Sequence, residues 1–195
     1  DIIITMLPNS QHVISVVTGE NGILGTARNG VILIDMSSIS PVVSKDLYAK
    51  AAEKGVEMLD APVSGGEPKA IDGTMSIMVG SKEEVFESVK DILLSMGGSA
   101  ILIGEIGSGN ICKLANQIMV ALHLSAVAEA MVFAEKAGVN TELVYNAIRG
   151  GLAGSTVLDA KMPMILDRNF KPGGPIWMHT KDLINVRDAA LAIDA

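Results

Sequence analysis

An α/β fold, with a partial parallel sheet followed by an all-α segment, is predicted by three features of the sequence. Short, continuous apolar runs that end in turn residues alternate with helical patterns through the first hundred residues. After "AILIG" (100–104) no further strand-like run follows, and a long helical pattern begins. Apolar residues make up 49% of the 195 and aromatics only 3%. The core is therefore built from Ile, Val, Leu, Ala and Met, which suits α/β layers better than an aromatic-rich β-sandwich.

The strands are expected in "DIIITML" (1–7), "GVILIDM" (30–36), "VEMLDAPV" (56–63), "TMSIMVG" (74–80) and "AILIG". Helical patterns join the first three, in "SQHVISVVTGENGILGTAR" (10–28) and "SPVVSKDLYAKAAEKG" (40–55). The second has Ser40 as N-cap, Pro41 at the first helical position and Gly55 just past its end. Continuous apolar strands separated by crossover helices read as a parallel sheet covered on both faces. A helix of about 25 residues is expected from Asn110 to Ala137, stopping at Gly138. Helical segments "TELVYNAIRGG", "STVLDAKMPMILDR" and "TKDLINVRDAALAIDA" follow, joined by Gly/Pro turns. The expected domains are residues 1–104, α/β, and 105–195, all-α, with the long helix between them.

Charge and composition narrow the function. A net charge of −7 without a basic stripe or aromatic platform argues against nucleic acid as a partner. The single cysteine, Cys112, excludes an internal disulfide framework and fits a reducing cytoplasm; it reads as a small buried hydrophobe. The first residues carry no secretory pattern, and both ends read as cut from a longer protein. Leu114–Phe133 is apolar enough to be weighed as a membrane span. Asn116, Gln117, His123, Ser125 and Glu129 within it are costly in lipid, so a buried helix is the expectation and no membrane partner is. His12, His123 and His179 have no carboxylate or cysteine neighbours at metal spacing, and no metal is expected.

Three strand ends carry polar or glycine clusters: Leu7-Pro8-Asn9, Ser37-Ser38 and Ser64-Gly65-Gly66. In α/β sheets ligands gather beyond the carboxyl ends of strands, although a strand end needs a turn in any case. The third cluster, "VSGGEPKA", offers a hydroxyl and successive backbone N–H groups in a tight curve. A carboxylate or phosphate is held that way without a metal.

"GSGNICKLANQ" (107–117) looks like a phosphate-binding glycine loop, but a dinucleotide fingerprint needs a third glycine where Cys112 stands. It also needs a following strand, and none is expected. What remains is a lysine in the first turn of a helix, with Lys113, Asn116 and Gln117 at i, i+3 and i+4 on one face. The partial positive charge of a helix N-terminus lowers a lysine's pKa, and such a lysine acts as a general acid or base near neutrality. The plain alternative, a lysine snorkelling from the helix start, stays open on spacing alone. Lys181-Asp182 reads by itself as an ordinary surface pair.

Several of these stretches together resemble one family. "DAPVSGGEPKA" (60–70) is similar to the substrate-binding motif of the β-hydroxyacid dehydrogenases, "GSGNICKLANQ" to their catalytic motif, and "HTKDL" (179–183) to their C-terminal K-D-L segment. "TMLPN", "DMSSISP" and "GTMSIMVG" also look like family segments, in the same order, so the resemblance covers essentially the whole chain. It implies a Rossmann-like first domain and reversible hydride transfer between NAD or NADP and a short 3-hydroxy acid or its semialdehyde. By the resemblance, Ser64, Gly65 and Gly66 hold the substrate carboxylate, Lys113 moves the proton, and Asn116 and Gln117 orient substrate and lysine. Leu7, Pro8 and Ser38 line the cofactor, and Lys181 sits where cofactor and substrate meet. "DMSSISP", "KLANQ" and "NFKPG" resemble the branch that acts on a hydroxylated three-carbon semialdehyde. "GGPIWMH" (173–179) departs from the family pattern, and the glycine-rich G-x-G-x-x-G unit is absent from these residues. Residues 1–195 alone are therefore expected to be inactive, and the intact protein to be a homodimer or homotetramer.

Overall fold

The computed structural model describes residues 1–195. Residues 1–115 with 174–195 form one compact unit, and residues 116–173 form another.

In the first unit, strands β1 (Ile2–Thr5), β2 (Ile32–Asp35) and β3 (Glu57–Asp60) are parallel, with Ile4 beside Ile34 and Ile34 beside Leu59. Helices α1 (Ser10–Thr18) and α2 (Ile23–Thr26) connect β1 to β2, and α3 (Pro41–Glu53) connects β2 to β3. Alternation along β2 and β3 sends neighbouring side chains to opposite faces. Leu33 and Met58 join Val13, Val17 and Leu47 from the helices, whereas Ile34 and Leu59 join a cluster with Ile77, Phe86 and Val89. Both faces of these two central strands are covered, as the continuous apolar runs predict.

The remaining strands depart from a uniformly parallel sheet. Beyond β3 the chain forms the two-residue β4 (Val63–Ser64), the short helix α4 (Gly66–Ile71), then β5 (Met75–Gly80). β5 meets β3 antiparallel, with Asp60 opposite Gly80, and β4 is antiparallel to β5. The connection through β4 and the Gly65-Gly66 turn holds no full crossover helix, and antiparallel neighbours need none. Helix α5 (Glu83–Leu94) then crosses over, so β6 (Gly97–Gly104) lies parallel to β5. The outlying strands are covered on one face only: Ile2 and Ile4 of β1 and Ile101 and Ile103 of β6 are exposed.

Helix α6 (Ser108–Lys136) starts two residues before the expected position and ends before Gly138, whose φ is +76°. It runs through the boundary between the units, which falls between Ala115 and Asn116. The second unit continues with α7 (Thr141–Ile148) and α8 (Thr156–Leu166). Val127 and Met131 of α6 pack there with Tyr145, Leu158 and Met162. Asn140 and Ser155 cap α7 and α8 by accepting from backbone N–H groups of the first turn. Helix α9 (Ile176–Leu191) belongs to the first unit.

The long helix is not the buried one expected. Ile118, Met119, Leu122, Val132 and Phe133 are exposed, because nothing within residues 1–195 covers that face. By length and composition α6 is the one helix that is apolar enough to cross a membrane. Cys112, likewise, is half-buried rather than buried.

Candidate active site

Because β1, β2 and β3 are parallel, the turns after them lie on one edge of the sheet. Side-chain bonds fix the first two turns to each other. Thr5 Oγ1 donates to Asp35 Oδ1 at 2.9 Å, and the Ser37 backbone N–H donates to the same oxygen at 3.2 Å. Ser37 Oγ accepts the Leu7 N–H at 2.8 Å. Asp35 is fully buried and its Oδ2 has no hydrogen-bond partner. Burial pushes its pKa up, against the lowering effect of the bonds from Ser37 and Thr5. On this braced shelf Leu7 and Ser38 are half-buried and Pro8 is exposed.

The third turn is shaped by its glycines. Gly65 has φ +144° and Gly66 has φ +69°, a region that residues with a Cβ rarely adopt. Ser64 is half-buried in register with Ser76, and both glycines are exposed, which leaves their main chain open to approach.

Lys113 lies in the second turn of α6, not the first, and is buried, at 8% exposure. Its pKa is lowered chiefly by that burial. The helix-terminus charge expected to do this fades within the first turn. The Asp182 carboxylate opposes the shift and the Lys181 ammonium adds to it, so α9 brings both residues electrostatically close to Lys113. Lys181-Asp182 is thus no ordinary surface pair. Asp182 is only 6% exposed, its Oδ1 lies 2.7 Å from Lys181 Nζ, and Lys181 Nζ donates to the Ser38 carbonyl at 2.6 Å. Three of the predicted residues, Lys113, Lys181 and Ser38, are gathered in this way. Asn116 and Gln117 belong to the second unit, where Asn116 Nδ2 donates to Gln117 Oε1 at 2.9 Å and Gln117 is buried.

Sequence reading missed the residue that organises the start of α6. Asp60, fully buried at the end of β3, accepts the Gly107 N–H on Oδ1 and the Asn110 N–H on Oδ2, both at 2.6 Å. Burial pushes its pKa to about 6 despite these bonds. Asn110, also fully buried, accepts from the Ile39 N–H at 3.0 Å and donates to Ser44 Oγ at 3.2 Å. This explains the glycines of "GSGNICK" without any phosphate. Gly107 has φ +90°, and a Cβ on Gly109 would lie 2.5 Å from the Met78 carbonyl and 2.9 Å from Asp60 Oδ2. In the sequence Asp60 is an acid closing an apolar strand and the first residue of "DAPVSGGEPKA", and neither signal shows what it bonds to.

A braced strand-end shelf, an open glycine turn and a buried lysine beside an ion pair lie in an α/β protein with an added helical part. Residues 1–104 match the family described as the NAD binding domain of 6-phosphogluconate dehydrogenase. Residues 107–195 match the NAD-binding family of NADP-dependent 3-hydroxyisobutyrate dehydrogenase. The chain is 45% identical to 2-hydroxy-3-oxopropionate reductase of Escherichia coli strain K12, over 99% of this chain and 66% of that protein. It is 36% identical to 2-(hydroxymethyl)glutarate dehydrogenase of Eubacterium barkeri, over 94% of this chain and 61% of that one. The structure of Mycobacterium tuberculosis 3-hydroxyisobutyrate dehydrogenase with L-serine superposes with a TM-score of 0.90 at 32% identity, covering all of this chain and 68% of that one. The chain belongs to the β-hydroxyacid dehydrogenase family, and its cofactor is NAD or NADP. It spans slightly less than two thirds of the length of these curated relatives.

The groups left open at this strand end are half-buried Leu7 and Ser38 and exposed Pro8, while Asp35 Oδ2 is sealed beneath them.

Proposed function

We propose that this chain is the greater part of an NAD(P)-dependent oxidoreductase that interconverts a short 3-hydroxy acid and its semialdehyde, acting on tartronate semialdehyde and glycerate. The observation that carries the reading is Lys113: buried, pKa lowered, and flanked by Asp182 and Lys181 in a family of hydroxyacid dehydrogenases. The proposed division into a dinucleotide domain over 1–104 and a helical domain over 105–195 is supported by family matches over 1–104 and 107–195, whereas the compact units divide the chain after Ala115 and Gly173.

NADH or NADPH, when bound, would be the source of the hydride for the carbonyl carbon. The Ser64 hydroxyl and the backbone N–H groups of the Gly65-Gly66 turn hold the substrate carboxylate. Lys113, as its ammonium form, gives a proton to the carbonyl oxygen as that oxygen gains charge, leaving an alcohol and a neutral amine; oxidation runs the same transfer backwards. Asn116 and Gln117, one turn further along the same helix, orient substrate and lysine. Leu7, Pro8 and Ser38 line the cofactor, and Lys181 braces the boundary between cofactor and substrate through its bond to the Ser38 carbonyl.

Assay of the full-length protein for NADH- or NADPH-dependent reduction of tartronate semialdehyde, with Lys113→Ala beside it, tests this reading. Loss of turnover in Lys113→Ala supports it, and near wild-type turnover removes it. A preference for 3-hydroxyisobutyrate is the second reading, favoured by the match to the 3-hydroxyisobutyrate dehydrogenase structure, and the same assay ranks the two substrates. A non-catalytic binding scaffold has no use for a buried lysine at 113. The exposed apolar face of α6 supports a homodimer or homotetramer of the full-length cytoplasmic protein; a monomer in light scattering removes that part.

A further inference from the structure

The substrate turn and the lysine come from two stretches of sequence, and one carboxylate joins them. Asp60 stands four residues before Ser64. Its two oxygens take the N–H groups of Gly107 and Asn110, 47 and 50 residues further along the chain, and Asn110 stands three residues before Lys113. Asp60 is fully buried, and neither oxygen is free to meet a substrate. Gly80 opposite it and Gly109 beside it leave no room for a Cβ, which closes the carboxylate in. Asn110 spreads the restraint by bonding to the Ile39 N–H and the Ser44 hydroxyl.

We propose that Asp60 is a positioning residue: it clamps the first turn of α6 to the end of β3 and so fixes Lys113 relative to the Ser64-Gly65-Gly66 turn. The proposal rests on the reading of Lys113 as the proton donor. A carboxylate serves here because it is acceptor-only when ionised and offers both oxygens to two backbone donors at once. An asparagine keeps one acceptor and turns an NH2 group against the other N–H. An alanine keeps neither. The structure therefore assigns a graded loss, Ala worse than Asn, acting through geometry rather than through binding.

The test is kinetic and physical, on the full-length protein. In Asp60→Asn, kcat is expected to fall about 10- to 100-fold, since a misplacement near 1 Å costs about that much, with KM changed less than about twofold. If Lys113 is displaced toward water, the alkaline limb of the kcat profile for reduction moves to higher pH, which a loss of stability alone does not do. Amide exchange of the segment 105–113 speeds up, while that of β1 and β2 does not. Unchanged kcat and unchanged exchange in a folded Asp60→Asn overturn the proposal. If that variant does not fold, the wild type decides. The Gly107 and Asn110 amide resonances must titrate with the Asp60 carboxyl at one midpoint, and separate midpoints overturn it. Lys113→Ala separates the two readings. Its loss of turnover with an unaffected Asp60→Asn defeats only the clamp, whereas retained turnover in Lys113→Ala defeats the proton-donor reading first.

Discussion

Lys181 Nζ donates to the backbone carbonyl of Ser38 at 2.6 Å, joining a helix near the end of the chain to a strand end 143 residues earlier. The same nitrogen lies 2.7 Å from Asp182 Oδ1. One ammonium thus holds the shelf after β2 and balances a buried carboxylate beside Lys113.

Replacing Lys181 by Met is expected to undo both contacts. A hydrogen bond to a charged group contributes about 1.5–3 kcal/mol to stability, so a loss of that order is expected in chemical denaturation, and if Ser38 lines the cofactor as proposed, binding of NAD(P), read by fluorescence titration, weakens as well. Removal of this like charge also raises the pKa of Lys113, so the alkaline limb for reduction moves to higher pH.

Asp182→Asn is expected to act in the opposite sense on that limb. The Asp182 carboxylate holds the Lys113 ammonium in place against burial. Without it the pKa drops further, Lys113 loses its proton at lower pH, and the alkaline limb for reduction moves down. A shift upward in the pH-rate profile contradicts the assigned electrostatics.

Lys113→Ala removes the proposed proton donor and is expected to lower kcat by about 10² to 10⁴. Cofactor affinity, measured separately, is expected to stay within about threefold, because the proposed cofactor-lining residues Leu7, Pro8 and Ser38 are untouched.

The pH dependence of stability follows from Asp60. Its pKa in the folded protein, about 6, lies above the ordinary value of 3.8. The folded state therefore holds the proton more tightly than the unfolded chain. Its contribution to stability is fully present below the ordinary value and is lost as pH rises through about 6. At about 1.4 kcal/mol per pKa unit the loss is on the order of 3 kcal/mol. Chemical denaturation of wild type and Asp60→Asn at pH 4 and pH 7 checks this: the advantage of wild type shrinks by that order at the higher pH. An advantage that grows with pH rules out a raised carboxyl.

Gly109→Ala is expected to destabilise by about 1–3 kcal/mol, because its Cβ overlaps the Met78 carbonyl and presses on Asp60. Gly150→Ala, where a Cβ meets nothing within 4 Å, is the control and stays near wild type in thermal melts.

The order of strands and helices was legible because burial on both faces writes continuous apolar runs, as in "VILID" and "EMLDA", and turn residues end them. The antiparallel entry of β5 was not legible, since "TMSIMVG" reads the same in either direction and only the short path through β4 and α4 decides it. At the site, spacing was enough to put Lys113, Asn116 and Gln117 on one helix face. It did not show that burial rather than helix position lowers the lysine's pKa, nor that Asp182 stands against it. Asp60 escaped notice for a related reason: its partners are backbone N–H groups about fifty residues away, and backbone groups have no letter in the sequence.

By itself the sequence determined the layers, the glycine turn and the lysine, because these depend on local periodicity and on which residues tolerate a positive φ. The tertiary structure alone decided which carboxylates are buried and which ends of the chain meet, because those energies depend on distance through space and on exclusion from water. "GSGNICKLANQ" shows the division: its glycines could be counted in sequence, but that Gly109 makes room for Asp60 is visible only in the fold.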